Sequence, residues 1–422
     1  MRTKTSFNHI FIIVGFCLLT LIIVQIPSAF SNGESRISLE IAIETALREN
    51  PQLNTIRERV HVVRARVDGI ALLGNPKLET EFVGGVHAEQ SFELTKAFEL
   101  GGQRGHRIRI AKTHLEKVDT ELAAASQSVR KSVKIAFYEL LLVQEKLKLA
   151  KEIVQYTEQM RDIAQTRFET GDLSVTQANL SNIHLQSALR EAVMLENKLQ
   201  LAQLSLNELM GAPLETARVV VGELREKASA ETLQKKLTLD ALKTQALAYR
   251  NDLKSLRLNA QLTESELRLA KATNIPDLSV GALAERSVNE RAFGVKFSIP
   301  LPLFNRNRGE INATKAQQQV DTVEINNTEK QIVREVMAAF LSFSTTEKML
   351  TFYEGDSLKL LNENLKLTRT AYELGETELL EVILMQKEFI KARFAYLDVL
   401  AAYHKAFAEL EAAVGTSLEP VP

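Results

Sequence analysis

The chain has 422 residues, and its 52 basic and 53 acidic side chains leave a formal net charge of −1. That balance offers no basic stripe of the kind nucleic acid requires, so no nucleic acid partner is expected. Cys17 is the one cysteine, and it stands in a segment expected to be removed, which excludes disulfides, thiol catalysis and thiolate metal sites.

Arg2 and Lys4 precede an apolar run from Ile10 to Val24, and small residues follow two apart at Ala29 and Ser31. A charged start, an apolar core and a small-residue site form the pattern of a secretory signal peptide, here 1–31 with cleavage after Ser31. The alternative is a retained N-terminal anchor, because the run is long for a signal. Phe16 before Cys17 does not suit a lipoprotein site, so no lipid anchor is expected. Without Arg2 and Lys4 the formal charge moves from −1 to −3. No later run approaches the roughly 20 apolar residues of a membrane helix. Any crossing of a membrane would therefore need a closed β-barrel, whose alternating strands signal weakly.

The first helix is expected from about Ser38 to Leu73, ending at Gly74 and Pro76. Two short strands follow at about Lys77–Gly85 and Ser91–Leu100, the second alternating through Phe92, Leu94, Lys96, Phe98 and Leu100. A helix without proline then runs from about Arg104 to Thr170, and its ~67 residues would reach roughly 100 Å. Along it Val133, Leu140, Leu147 and Val154 recur every seventh residue, with Ala136, Val143, Ala150, Thr157 and Ala164 beside them. This is a coiled-coil seam with one row of small residues, which permits close helix approach. Gly171 marks a tight turn, and a further helix runs to about Met210. The helices before and after have about 36 and 37 residues, together matching the long one in length. A polar, irregular stretch from Ala212 to Lys236 is expected at the waist between them.

The same order then begins again. Leu39, Ala46, Leu47 and Leu53 are matched by Leu239, Ala246, Leu247 and Leu253, and Pro76 and Leu78 by Pro276 and Leu278. After a slip of four, Arg104-Gly105 matches Arg308-Gly309, Phe168, Glu169 and Gly171 match Tyr372, Glu373 and Gly375, and Gly211 matches Gly415. The expected second copy has strands through Leu278, Val280 and Ala282 and through Phe293–Leu301, then a long helix from about Arg308 to Glu373. The chain reads as an internal duplication. Taken alone, each strand pair favours an ordinary soluble hairpin with a half-buried face, and the period of the long helices also fits a cytosolic coiled coil or helical bundle.

Signal peptide, duplication and landmarks together resemble the TolC outer-membrane efflux family, from about Ile37 to Gly415. Phe98–Arg104 (Phe-Glu-Leu-Gly-Gly-Gln-Arg) and Ile299–Gly309 (Ile-Pro-Leu-Pro-Leu-Phe-Asn-Arg-Asn-Arg-Gly) resemble its CzcC branch, which serves heavy-metal efflux pumps. The resemblance implies a mainly α fold with short β-strands, built as a TolC-like duplicated unit. As a homotrimer, with four strands from each subunit, it would form a twelve-stranded transmembrane β-barrel continued by a long periplasmic α-helical barrel. The implied place is the cell outer membrane, with a large periplasmic portion. The implied layout is a signal peptide at 1–31, repeats at 37–211 and 237–415, an equatorial linker at 212–236 and a tail at 416–422. The implied partners are a periplasmic adaptor (membrane fusion) protein, an inner-membrane RND pump and outer membrane lipid.

No enzyme constellation stands out, and no cofactor is expected. His61, His87, His106, His114, His184 and His404 are scattered and read as surface or packing residues, since an exit duct should pass metal and not hold it. Gly101 and Gly102 in one copy, and Pro300 and Pro302 in the other, suit a strand-to-helix junction. The turns at Gly171, Asp172 and Leu173 and at Gly375, Glu376 and Thr377 suit capped helical hairpins. In the family such turns form the tip where the adaptor docks. The family's acidic gate position falls on Glu381, its second acidic position on Leu384, its gate tyrosine on Tyr372, and Gln177 stands where an aspartate is familiar. The alternative for Glu381 is a solvated stripe with Glu378 and Glu388. The expected function is a passive exit duct of a tripartite efflux system for heavy-metal cations such as cobalt, zinc, cadmium or copper. The alternatives are a duct for drugs or type I secreted proteins, and a soluble periplasmic coiled-coil adaptor or scaffold.

Overall fold

The computed structural model describes residues 35–84, 89–224, 238–287, 290–353 and 357–418. The expected signal peptide, Cys17, His87, residues 225–236 of the linker and residues 419–422 of the tail lie outside that range. Residues from Ser35 onward form one compact unit.

Strand β1 (Ser35–Ile37) leads to α1 (Leu39–Glu49), which Ser38 caps by accepting from the Ile41 amide. Asn50 then turns the chain and caps α2 (Pro51–Ile70), its side-chain oxygen accepting from Gln52 and Leu53 amides at 3.0 and 3.2 Å. Pro51 suits the first helical position because it has no amide left to satisfy. The single helix expected from Ser38 to Leu73 is therefore two helices with a corner at Asn50.

Strands β2 (Lys77–Val83) and β3 (Glu89–Phe98) come next, followed by α3 (Gln103–Glu169), an unbroken helix of 67 residues. Ser174 and Gln177 form a capping box at the start of α4 (Val175–Met210). The expected irregular linker opens with a strand, β4 (Arg218–Val220), which pairs in parallel with β1. The second half holds α5 (Leu239–Tyr249), α6 (Asn251–Ala272), β5 (Leu278–Arg286) and β6 (Arg291–Ser298). It continues with α7 (Arg308–Tyr353), α8 (Ser357–Leu374) and α9 (Leu379–Val414). One helix from about Arg308 to Glu373 was expected; the described residues supply α7 and α8, either side of 354–356.

The strands form one antiparallel sheet in the order β2-β3-β5-β6, so the two hairpins join through β3 and β5. Leu78, Leu94, Ala282 and Val295 stand opposite one another in a row. Leu78, Leu94 and Val295 are exposed. The other face is polar, with Lys296 and Glu93 paired at 2.8 Å. This sheet is open, and it corrects the expectation of a closed twelve-stranded transmembrane β-barrel. Four strands of one chain leave β2 and β6 each paired on one side only, and closure requires every edge to be paired. The assignment to the cell outer membrane, with its lipid contacts, rested on that barrel and is withdrawn with it. Among the described residues, no helix is long and apolar enough to cross a membrane.

The seam read along α3 is the core. Val133, Leu140 and Leu147 are buried, as are Ala136, Val143, Ala150, Thr157 and Ala164. Phe137 and Leu140 pack in one cluster with Leu53, Leu206 and Met210, with Ile332 and Val336 of α7, and with Tyr403 and Phe407 of α9. The corners are tied to the far helix ends in both halves. Asn50 donates to the Leu209 carbonyl at 2.8 Å, and Arg250 to the Ala413 carbonyl at 3.3 Å. Each bond serves one of the carbonyls a helix leaves without a partner in its last turn.

Candidate functional site at the paired glycine turns

The first turn is organised around one carbonyl. Gly171 sits in the left-handed region at φ 85°, which folds the chain back over the end of α3. The Arg167 carbonyl there accepts from the Asp172 amide at 2.8 Å, the Leu173 amide at 3.1 Å and the Thr170 hydroxyl at 3.1 Å. Gln177 closes the turn, its side-chain oxygen accepting from the Ser174 amide at 3.3 Å.

The second turn repeats the backbone pattern with fewer ties. Gly375 has φ 80°, and the Ala371 carbonyl accepts from the Glu376 amide at 2.8 Å. Glu378 begins α9 without a side-chain cap bond. Support comes from across the hairpins instead. The Arg167 guanidinium donates to the Tyr372 and Glu373 carbonyls at 2.9 and 3.1 Å, and lies over the Tyr372 ring at 4.8 Å. A cation is favourable at a helix C-terminus and over an aromatic face, so both contacts pull the same way. The reciprocal pair lies nearby: Arg369 stands 4.4 Å over the Tyr156 ring and donates to Gln159 at 3.0 Å.

Behind the turns, Tyr372 is buried with Met160, Ala164, Leu379, Val382 and Ile383. Its hydroxyl has no hydrogen-bond partner, and burial pushes the phenol up against the opposing pull of Arg167. Burial likewise pushes Tyr156 up to about 12, with Arg369 opposing. A polar chain crosses three helices beside this cluster. The His184 Nε2 donates to Gln386 at 3.0 Å, Gln386 donates to the Thr157 hydroxyl at 3.3 Å, and Thr157 donates to the Ile153 carbonyl at 2.7 Å. Burial holds the His184 imidazole below its ordinary value, with the Gln386 bond acting in the other direction.

The four expected gate residues are divided by this arrangement. Tyr372 is used in packing and Gln177 in capping, whereas Glu381 and Leu384 stand exposed on α9. The Thr377 hydroxyl donates to the Glu381 carboxylate. Among the expected docking residues, Asp172 and Glu376 are exposed, and Leu173 packs on the apolar cluster. At the expected junction, Gly102 holds φ 72° at the head of α3, and a side chain on Gly101 would meet the Ala272 carbonyl at 2.5 Å. Pro300 and Pro302 lie exposed between β6 and α7. Among the described residues, no group of three His, Cys, Asp or Glu side chains could hold a metal ion.

Arg167, Arg369 and the His184–Gln386–Thr157 chain escaped the reading of the sequence. The duplication held a signal for the first, since Ala371 occupies the matching place in the other turn.

A family model described as "Outer membrane efflux protein" matches residues 42–212 and 242–416. The cobalt-zinc-cadmium resistance protein CzcC of Cupriavidus metallidurans is 22% identical over 386 residues, covering 90% of each chain. The pyoverdine export outer membrane protein OpmQ of Pseudomonas aeruginosa is 20% identical over 330 residues, covering 74% of this chain and 67% of its own. A crystal structure of CusC superposes with a TM-score of 0.75 at 16% identity, covering 90% of this chain and 92% of that one.

Proposed function

The chain belongs to the outer membrane efflux protein family, and from that premise we propose that it is the exit duct of a tripartite efflux assembly for organic compounds. It is a TolC-type efflux channel, a conduit that catalyses no reaction. It works as a homotrimer, with repeats at 37–211 and 237–415, and is engaged by an adaptor protein and driven by an inner-membrane pump. The observation that carries this reading is the pair of glycine turns, linked through Arg167 at one end of a 67-residue helix, each with an exposed acidic residue, Asp172 and Glu376. Such an end offers a partner two adjacent hairpin tips, with the acidic Glu381 on the exposed flank of α9.

The organic cargo is favoured because the relatives lie at similar, low identity and include a pyoverdine exporter as well as a metal-resistance protein. Heavy-metal cations are the second reading, supported by Phe98–Arg104, Ile299–Gly309 and the likeness to CzcC over nine-tenths of the chain. The test uses cells lacking their own efflux channels, supplied with this chain and with the pump and adaptor encoded beside it. Accumulation of a fluorescent organic dye and of cobalt is measured in parallel. Lower dye with unchanged cobalt supports the first reading, and lower cobalt alone replaces it with the second. No change in either overturns the conduit.

A further inference from the structure

Arg167 contacts both turns with different parts of itself. Its carbonyl gathers the Asp172, Leu173 and Thr170 donors of the first turn. Its side chain leaves α3 and closes the carbonyl end of α8, at Tyr372 and Glu373. Arg167 thereby links the two turns through its backbone on one side and its guanidinium on the other. The matching residue of the second turn, Ala371, keeps the backbone part of this pattern, its carbonyl accepting from Glu376. Its methyl side chain cannot hydrogen-bond back to the first turn, so this carbonyl cap has no counterpart at Ala371. The first turn is complete in itself, whereas the second borrows its helix cap from the first.

We propose that Arg167 is a positioning residue that fuses the two turns into one docking surface, so that a protein partner meets Asp172 and Glu376 in fixed register. The inference rests on the reading of these turns as a docking tip. Arg369 on Tyr156 supports the same alignment from the opposite helix, because each of α3 and α8 contributes one arginine and one tyrosine ring. The hydroxyls of both tyrosines lack hydrogen-bond partners, so the rings and not the phenol groups are what the arginines use.

The test measures register directly, in the full chain purified in detergent. Cys17→Ser removes the one native thiol, and Asp172→Cys with Glu376→Cys places a spin label on each turn. Double electron–electron resonance, on labelled chain diluted with an excess of unlabelled chain so that each trimer carries at most one labelled copy, should give one narrow distance in this background. Arg167→Met should lose that narrow peak and give a broad distribution, and Arg167→Lys should recover part of it. A second label pair, Gln165→Cys with Val175→Cys, reports the first turn alone and should stay narrow in Arg167→Met, because the carbonyl of residue 167 remains. Circular dichroism confirms the helical content of each variant. Tyr372→Phe keeps the ring and should leave the peak intact, while Tyr372→Leu should broaden it, which tests the clamp even where Arg167→Met fails to fold. A narrow peak in folded Arg167→Met, or equal broadening by Tyr372→Phe and Tyr372→Leu, overturns the proposal. Undiminished adaptor cross-linking to both turns in a broadened Arg167→Met overturns the docking reading and leaves the clamp standing.

Discussion

Lys134 of α3 and Glu411 of α9 meet at 2.7 Å with side chains only 7% and 9% exposed. The same carboxylate accepts from the Ser417 hydroxyl at 3.1 Å and the Leu418 amide at 3.0 Å, so it also ties down the chain beyond Gly415. Burying two charges is costly, and removing Lys134 leaves the Glu411 carboxylate buried without this opposite charge. Lys134→Met should therefore cost about 3–5 kcal/mol of stability, and Lys134→Met with Glu411→Leu should recover much of that. Urea unfolding of the wild type and the two variants checks this. A single variant within the error of the wild type would mean the pair is solvated.

Arg250 gathers three partners at the second corner: Glu335 at 2.7 Å, Asp252 at 2.5 Å and the Ala413 carbonyl. Burial raises the Asp252 carboxyl, but hydrogen bonding and charge from Arg250 outweigh it and leave it below its ordinary value of 3.8. Burial also raises Glu335, and Gln331 and Arg250 together bring it below 4.5. A depressed carboxyl stabilises the fold fully above its ordinary value and loses that contribution as pH falls through the folded value. Arg250→Met should thus destabilise by about 1–2 kcal/mol at neutral pH, modestly because Asp252 and Glu335 are partly exposed. The gap from wild type should close as pH falls below about 4. A gap independent of pH would leave only the carbonyl cap as its cause.

His184 gives a dependence in a different window. Burial favours its neutral form, so the unfolded chain takes up a proton first as pH falls below 6.5. Stability from this site is complete above 6.5 and declines as pH drops toward the folded value. His184→Gln should flatten the slope of unfolding free energy as pH falls below 6.5. His404, also held down by burial while bonded to the Leu224 carbonyl, would supply the slope that remains. Hydrogen exchange should localise the acid weakening of wild type to α4 and α9. An unchanged slope in His184→Gln would assign the whole effect elsewhere.

What could be read from the sequence was whatever depends on spacing along one helix or strand. The burial of Val133, Leu140 and Ala150 follows from a period of seven, and the row of Leu94 and Val295 from a period of two. The corner at Asn50, which caps α2 just before Pro51, was passed over by the expectation of one helix from Ser38 to Leu73. The open sheet could not be read, because closure depends on what lies beyond β2 and β6 and not on the strands themselves. The Arg167 clamp and the His184 chain join residues more than 200 positions apart. No local pattern encodes such contacts; the packing of α3 against α8 and α9 creates them.

Glu381 stands exposed in the first turn of α9, with the Thr377 hydroxyl donating to its carboxylate. That bond holds the side chain near the helix N-terminus, where a negative charge is favoured and its position is defined. In the proposed homotrimer, three such carboxylates around the tip would form a ring and concentrate cations there. Glu381→Gln keeps the shape of the side chain and removes its charge, so trimers in planar bilayers should lose part of their cation preference. The loss should be largest at low salt, where the Debye length exceeds about 10 Å. Glu388→Gln, exposed on the same helix but farther from the turn, should change selectivity less. Thr377→Val removes the tether while leaving the charge, and should weaken the preference by an intermediate amount. Reversal potentials across a salt gradient decide among these. Identical values for wild type and Glu381→Gln would place Glu381 on a solvated stripe with Glu378 and Glu388, outside the ion path.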